Sequence, residues 1–290
     1  MSIQRLALIT LFLTYILIVF GGYVASSESG MGCGPEWPLC NGEYIPSLHG
    51  ETLVEYAHRV IGAVLGIMTI ILSIKIIRLK PSLHIKLTTY WMLTLLIVQV
   101  LLGAVVVILD LPAIVITIHL MVAMIFMALL IFICHTYKSK DSFALENRYD
   151  HTSIRKYIRT HIHIILGLLL VTITIGAYIK HQQYGLACDW LGCRETFLPT
   201  DNRQLLQTLH RIFALITTLY ILIFAGWTFT ISKDQHLRIR VVLAAIVVII
   251  QMLVGVITVI THLELPWAVV HLAIATALFG IITEVRAYLR

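Results

Sequence analysis

Long apolar runs separated by short polar segments make up most of this chain. Eight runs can be delimited, at 6–25, 54–77, 88–109, 113–137, 161–180, 205–231, 241–260 and 267–288. Each is close to the roughly 20 apolar residues that a helix needs to cross a bilayer. Because a spanning segment must satisfy its own backbone polar groups, each run is predicted to be helical. The pattern therefore predicts an all-α integral membrane protein with eight transmembrane helices.

The composition agrees with lipid as the solvent for most of the chain. Of the 290 residues, 59% are hydrophobic and 12% are charged, whereas soluble domains carry about 25% charged residues. Most of the basic residues stand between the apolar runs, and they form no patch or motif for nucleic acid. We therefore expect membrane lipid around the chain and no nucleic acid as a partner.

The distribution of lysine and arginine predicts the orientation. If the N-terminus is cytoplasmic, only five of the 21 basic residues face outwards and 16 face the cytoplasm. The outward-facing residues are Arg59, Lys180, Arg194, Arg203 and Arg211. Because basic residues accumulate on the cytoplasmic side of membrane proteins, both termini are predicted to be cytoplasmic in a multi-pass protein of the cell membrane.

The second half of the chain repeats the first at an offset of 152 to 155 residues. The identical pairs are Cys33/Cys188, Cys40/Cys193, His58/His210, Arg59/Arg211, Gln99/Gln251, Gly103/Gly255 and His119/His271. Two short segments also resemble each other, Gly21-Gly22-Tyr23-Val24 with Gly176-Ala177-Tyr178-Ile179 and Asp110-Leu111-Pro112 with Glu264-Leu265-Pro266. The first apolar run thus has a counterpart in the fifth, which argues against its alternative interpretation as a cleaved signal peptide.

The repeat predicts two halves, 1–140 and 141–290, with four spans each. Since four is an even number, both halves insert in the same orientation. We expect two tandem four-helix bundles related by a pseudo-two-fold axis along the membrane normal, an arrangement known for parallel repeats.

Four histidines near the predicted outer face form one matched pair in each half. His58 lies about one turn into the second span and His119 about two turns into the fourth, and His210 and His271 repeat them. Ionisable side chains inside a membrane are costly and usually functional. Two imidazoles that face each other from two helices suit six-coordinate haem iron. The alternatives are hydrogen bonds to a neighbouring helix and zinc, which would need four converging ligands.

The neighbours of these histidines differ between the halves. Glu55 lies three residues before His58, on the same helix face, whereas Gln207 occupies the equivalent position before His210. A carboxylate beside a haem edge can exchange protons or stabilise positive charge, so the first half is predicted to be catalytic. The alternative is a solvated Glu55 in the headgroup region. Arg59 and Arg211 would contact a haem propionate or extend to the membrane surface.

The cysteine pairs lie in predicted outer loops, where disulfides form in an oxidising compartment. Cys33 and Cys40 enclose six residues and Cys188 and Cys193 enclose four. Both pairs are predicted to be disulfides that stiffen the outer loops, and a redox-active first pair is the alternative. Cys134 is interpreted as a small apolar residue within the fourth span.

Together these residues resemble the haem A synthase family, and most closely its bacterial members with cysteine pairs in the outer loops. The resemblance rests on Gly21-Gly22, the loop Cys33…Trp37-Pro38-Leu39-Cys40, Glu55-x-x-His58-Arg59, His119, Leu209-His210-Arg211 and His271. It covers essentially the whole chain. The second cysteine loop is shorter than the first, which argues against the same role for the two loops.

The resemblance implies a membrane oxidoreductase that oxidises the ring methyl of haem O to a formyl group. The product, haem A, serves terminal oxidases. His58 and His119 would then bind the substrate haem beside an essential Glu55, and His210 and His271 would bind a resident haem b. A haem O synthase is the expected partner that supplies the substrate.

Two functions of other classes are the alternatives. A b-type cytochrome with bis-histidine ligation would carry electrons across the membrane, which requires haems stacked between the two faces. A carrier built from parallel repeats would need neither axial ligands in both halves nor a carboxylate in only one. The common outer position of the four histidines argues against the first function.

The predicted orientation can be tested with fusions of reporter proteins. A green fluorescent protein fused after residue 290 should be fluorescent, because that protein matures in the cytoplasm. An alkaline phosphatase fused after Asp110, in a predicted outer loop, should be active. The reverse result for both reporters would invert the orientation.

Overall fold

The computed structural model describes residues 1–138, 152–189, 192–193 and 198–289. In these ranges the chain forms eight long helices: α1 (Ile3–Ser26), α2 (Gly50–Arg78), α3 (Leu83–Ile108), α4 (Ala113–Thr136), α5 (Thr152–His181), α6 (Asn202–Ile231), α7 (Gln235–Ile260) and α8 (Leu265–Tyr288). All eight are long and apolar enough to cross a membrane. The predicted all-α architecture is confirmed. The predicted boundary at 140/141 lies outside the described residues.

Several helices begin before the apolar runs that predicted them. The helix α5 begins at Thr152, nine residues ahead of the run at 161–180. Its first turns carry Arg155, Lys156 and Arg159, which a search for apolar residues passes over. Hydrophobicity identifies the part of a helix that lipid surrounds, and the helix itself continues beyond it.

Aspartate caps fix where two helices of the second half begin. Asp201 accepts a hydrogen bond from the backbone N–H of Gln204 at 2.8 Å and so caps α6. Asp234 accepts from the N–H groups of His236 and Leu237 and caps α7. Such caps satisfy N–H groups that the first turn of a helix leaves unpaired. The cap on α6 sets the register of the helix that carries Gln207 and His210.

The helix contacts have the symmetry expected of two similar halves. In the first half α1 packs on α2 and α4, and α3 packs on α2 and α4; α5 to α8 repeat these contacts in the same order. Between the halves α1 packs on α8, α4 on α5, and α4 on α8. An exchange of α1 with α5 and of α4 with α8 leaves this set unchanged. The contacts are thus consistent with a pseudo-two-fold axis between α4 and α8.

The turns after α3 and α7 also correspond, although not in the register that the sequence suggested. Leu111 and Leu263 both adopt a left-handed backbone conformation. Their N–H groups donate to the carbonyls of Val106 and Thr258, each at 2.8 Å. The offset is therefore 152 residues, as for the histidines. The similarity of 110–112 to 264–266, at an offset of 154, does not reflect equivalent positions.

Several threonine hydroxyls that are buried between the helices bond within their own helix. Thr69 and Thr117 donate to the carbonyls of Leu65 and Ala113, four residues earlier, at 2.8 and 2.7 Å. Thr276 donates to the carbonyl of Leu272 in the same way. A polar group without a partner is costly in an apolar environment, and this local bond satisfies the hydroxyl. The bundle can therefore bury threonine without a polar network between helices.

Candidate functional site

The four histidines occupy matching positions in the helices. His58 and His210 are the ninth residues of α2 and α6, and His119 and His271 are the seventh residues of α4 and α8. All four residues are half-buried. The helices α2 and α4 both pack on α1 and α3, and α6 and α8 both pack on α5 and α7, so each pair of histidines lies on opposite helices of one bundle. His58 thus lies more than two turns into α2, deeper than predicted, because α2 begins at Gly50.

Each imidazole packs on a glycine of the preceding helix. A Cβ atom added to that glycine would be in van der Waals contact with Cε1 of the ring at Gly103, and closer than that at the other three glycines. The distance from the added Cβ atom to Cε1 would be 3.1 Å for Gly21 and His58, 3.6 Å for Gly103 and His119, 2.7 Å for Gly176 and His210, and 3.0 Å for Gly255 and His271. The glycines therefore let four neighbouring helix backbones come close enough to hold the rings.

The two pairs differ in how their Nδ1 atoms are satisfied. In the second half, Nδ1 of His210 lies 3.1 Å from the carbonyl of Thr172, and the amide nitrogen of Gln251 lies 3.3 Å from both ring nitrogens of His271. Nδ1 of His58 and of His119 is buried and has no partner among the described residues. A ligating histidine usually has a partner that orients its second nitrogen. The second pair has such partners in the protein.

Glu55 is buried beside the first cysteine loop. Its side chain forms an ion pair with Arg59 and accepts from Nε of that residue at 3.0 Å. Its Oε2 accepts from the backbone N–H of Cys33 at 2.8 Å, and Arg59 donates to the carbonyl of Leu39 at 2.9 Å. The residue is only 4% exposed, so the alternative of a solvated Glu55 is wrong. The guanidinium of Arg59 has its polar partners within the protein.

Gln207 has the same position in the second half and makes the equivalent contact. Its Oε1 accepts from the backbone N–H of Cys188 at 2.6 Å, and its Nε2 donates to the carbonyl of Gly185. Arg211 donates to the carbonyl of Cys188 at 3.3 Å. Both halves therefore use the residue three before the histidine to fix the first cysteine of the loop. Only in the first half does that residue carry charge.

The predicted disulfides Cys33–Cys40 and Cys188–Cys193 are both present. The loops reach the turns that follow α3 and α7. A Cβ atom on Gly30 or Gly185 would meet the side chain of Leu111 or Leu263, at 3.2 and 2.7 Å. The segment before each disulfide thus packs on the turn between the third and fourth helices of its own half. Cys134 is unpaired and buried in α4, as predicted.

In the described parts of the chain, no three His, Cys, Asp or Glu side chains converge in a group that could hold a metal ion. The histidine pairs instead suit a ligand that brings its own equatorial donors, as a haem does. The imidazoles are partly accessible and their Nδ1 atoms face the protein. Such rings can offer Nε2 as an axial ligand to the iron of a haem. The residues present therefore fit haem in both halves.

Sequence comparison assigns the family. The model of the COX15-CtaA family, described as cytochrome oxidase assembly protein, matches residues 4–283. The chain belongs to this family. It is similar to the haem A synthases of Bacillus pumilus, with 27% identity, and Bacillus licheniformis, with 29% identity. Each alignment covers 97% of this chain, and 93% and 94% of the respective relative.

The haem A synthase of Bacillus cereus strain G9842 is 30% identical over 97% of this chain and 91% of its own length. The alignment thus covers nearly the whole chain. The resemblance to the haem A synthase family that the motifs indicated is confirmed.

The glycine contacts predict which substitutions disturb the second histidine pair. In Gly176→Ala the new methyl group would lie 2.7 Å from His210, so the ring must move. We expect the low-spin haem absorbance per protein to fall by more than half in the purified variant. Gly167 lies on the same helix and a Cβ atom there meets nothing within 4 Å. Gly167→Ala should retain the full spectrum, and equal spectra for both variants would contradict the packing argument.

Proposed function

We propose that this chain is a haem A synthase, which oxidises a ring methyl of haem O to a formyl group by successive hydroxylations. The observation that carries the proposal is the pairing of two equivalent histidine sites with a buried carboxylate in only one of them. Family membership and the names of the relatives support the same activity. The product, haem A, is the cofactor of terminal oxidases.

The substrate site is proposed between His58 and His119. The Nδ1 atoms of this pair have no partner in the described structure, so packing alone, without a hydrogen bond, orients the rings before a ligand arrives. A site that must load a substrate and release a product suits such rings. Glu55, one helical turn before His58, then places a buried carboxylate on that face of the helix.

A resident haem b is proposed between His210 and His271. The carbonyl of Thr172 can only accept, so Nδ1 of His210 must donate to it and the neutral ring keeps Nε2 free as a ligand. This partner orients the ring before and after binding. A haem b held there would supply one-electron transfer.

Glu55 is proposed to move a proton at Oε2. Its Oε1 is held by Arg59, whereas Oε2 accepts one hydrogen bond, from Cys33, and an ionised carboxylate oxygen can accept more than one. The bond to Cys33 and the pair with Arg59 fix the orientation of the carboxylate. A general base held in position in this way contributes about 10²- to 10⁴-fold to a rate.

The membrane setting is part of the proposal. We propose that both termini face the cytoplasm, that the histidine sites lie towards the outer face of the cell membrane, and that a haem O synthase delivers the substrate. The excess of lysine and arginine in the segments assigned to the cytoplasmic side supports this orientation. All four histidines lie near the same ends of their helices. This common position argues against a cytochrome whose haems are stacked from one face of the membrane to the other.

Glu55→Gln tests the catalytic role. The second half shows that an amide at this position still accepts from the cysteine N–H, as Gln207 does from Cys188, so the fold should be retained. We expect haem O and haem b to bind as in the unmodified protein, while conversion of haem O falls by at least about 100-fold. Haem extraction and chromatography of membranes measure the conversion.

Gln207→Glu is the matched control and should keep full conversion. Wild-type conversion in Glu55→Gln would refute the role of the carboxylate. If the unmodified protein converted no haem O at all, the proposed function itself would be wrong.

A further inference from the structure

A shallow apolar groove lies on the lipid-facing side of the junction between the two halves. It has a volume of about 310 Å³ and is lined by Ile16, Val19, Phe20 and Tyr23 of α1 and by Val269 of α8. The helices cross closely nearby, because a Cβ atom on Gly22 would collide with Leu272. The groove thus has walls from both halves and lies beside the crossing of the two helices.

Phe20 connects this groove to the first histidine pair. Its ring centroid lies 5.9 Å from that of His58 and 6.0 Å from that of Tyr23. Gly21, the next residue, is the glycine on which His58 packs. A molecule bound at His58 is therefore separated from the groove by the width of one aromatic ring.

The equivalent cleft beside the second histidine pair has a different lining. At the offset of the repeat, Val19 and Phe20 correspond to Thr174 and Ile175 of α5. Val269 corresponds to Thr117 of α4, which is buried and bonded within its own helix. The aromatic ring beside the histidine and the apolar residues Val19 and Val269 are therefore found at the groove beside the first histidine pair and not at the equivalent cleft.

We infer that this groove receives the isoprenoid side chain of the substrate haem and thereby selects the methyl group that faces Glu55. The inference rests on the proposed function. Haem O carries a farnesyl chain that haem b lacks, so an apolar groove is needed beside one of the two haem sites only. The observed asymmetry matches that need.

The physical role of the groove is orientation. Two axial histidines fix the axis through the iron but leave the macrocycle free to rotate about it. An isoprenoid chain lying in a groove removes that freedom and brings one edge of the macrocycle to the carboxylate. Lipid tails are as apolar as the groove, so little hydrophobic gain distinguishes chain from lipid. The preference must come from close packing and from the covalent link to the bound macrocycle.

Substitutions that fill the groove test the inference. Ile16 is 38% exposed and Val171, its equivalent on α5, is 42% exposed, so both positions can accept tryptophan on the lipid side. Ile16→Trp and Val269→Trp narrow the groove, and Val171→Trp is the matched control. Full-length protein, purified with haem b in the second half, is titrated with haem O and with haem b at the first site.

We expect the unmodified protein and Val171→Trp to bind haem O more tightly than haem b, by about tenfold in dissociation constant, or 1.4 kcal/mol. Ile16→Trp and Val269→Trp should lose this preference while haem b binds the first site as before. The absorbance of the second-half haem b reports whether each variant is folded. An unchanged preference in both folded groove variants would assign the groove to lipid and overturn the inference.

The regiochemistry of the product gives an independent readout. Groove variants that still oxidise haem O should yield a mixture of methyl positions, whereas Val171→Trp should yield haem A alone. Haem A as the sole product of the groove variants would contradict the orienting role. Failure of the unmodified protein to convert haem O would overturn the proposed function instead, which separates the two outcomes.

Discussion

The close approach of a helix backbone to an imidazole ring is the contact on which both candidate sites depend. His210 packs on Gly176 and His271 on Gly255, and the first half repeats this arrangement with His58 and its partner glycine Gly21. A ligand histidine in a bundle has to be held by neighbours that offer few polar groups. Glycine provides a backbone surface without a Cβ, so that the adjacent helix itself fixes the ring. The spacing of helices within each half follows from this contact.

The two halves share this scaffold and differ in a few side chains. These differences all favour a cofactor site in the second half and a reactive site in the first. Thr172 gives His210 a fixed hydrogen-bond partner, whereas Nδ1 of His58 has none in the described structure. Glu55 adds a buried charge where Gln207 is neutral. A cofactor that stays bound needs ligands held in a fixed orientation. A substrate that binds, reacts and leaves needs side chains that react with it and side chains that orient it. On the proposed assignment of the two sites, these differences separate cofactor binding from chemistry while the arrangement of helices stays the same.

Sequence reasoning predicts the eight helices, the histidine pairs, the disulfides and the difference at position 55. Those features depend on apolar run length and on residue types that recur at a fixed offset. The bond from the Cys33 N–H to Glu55 could not be predicted, because a backbone partner in a loop leaves no trace in residue types. The start of α5 at Thr152 was missed because its first turns are polar. Phe20 was missed because its repeat partner is Ile175 and because its importance depends on the packing of α1 against α8.

The central claim is that the two histidine pairs hold different haems. Haems extracted from two purified double variants, expressed in cells that make haem O, test it directly. With His58→Ala and His119→Ala, we expect haem b at the level of the unmodified protein and neither haem O nor haem A. With His210→Ala and His271→Ala, we expect haem O to be retained, haem b to be absent and haem A not to form. Loss of haem b from the first variant with its retention in the second would contradict the assignment of the two sites.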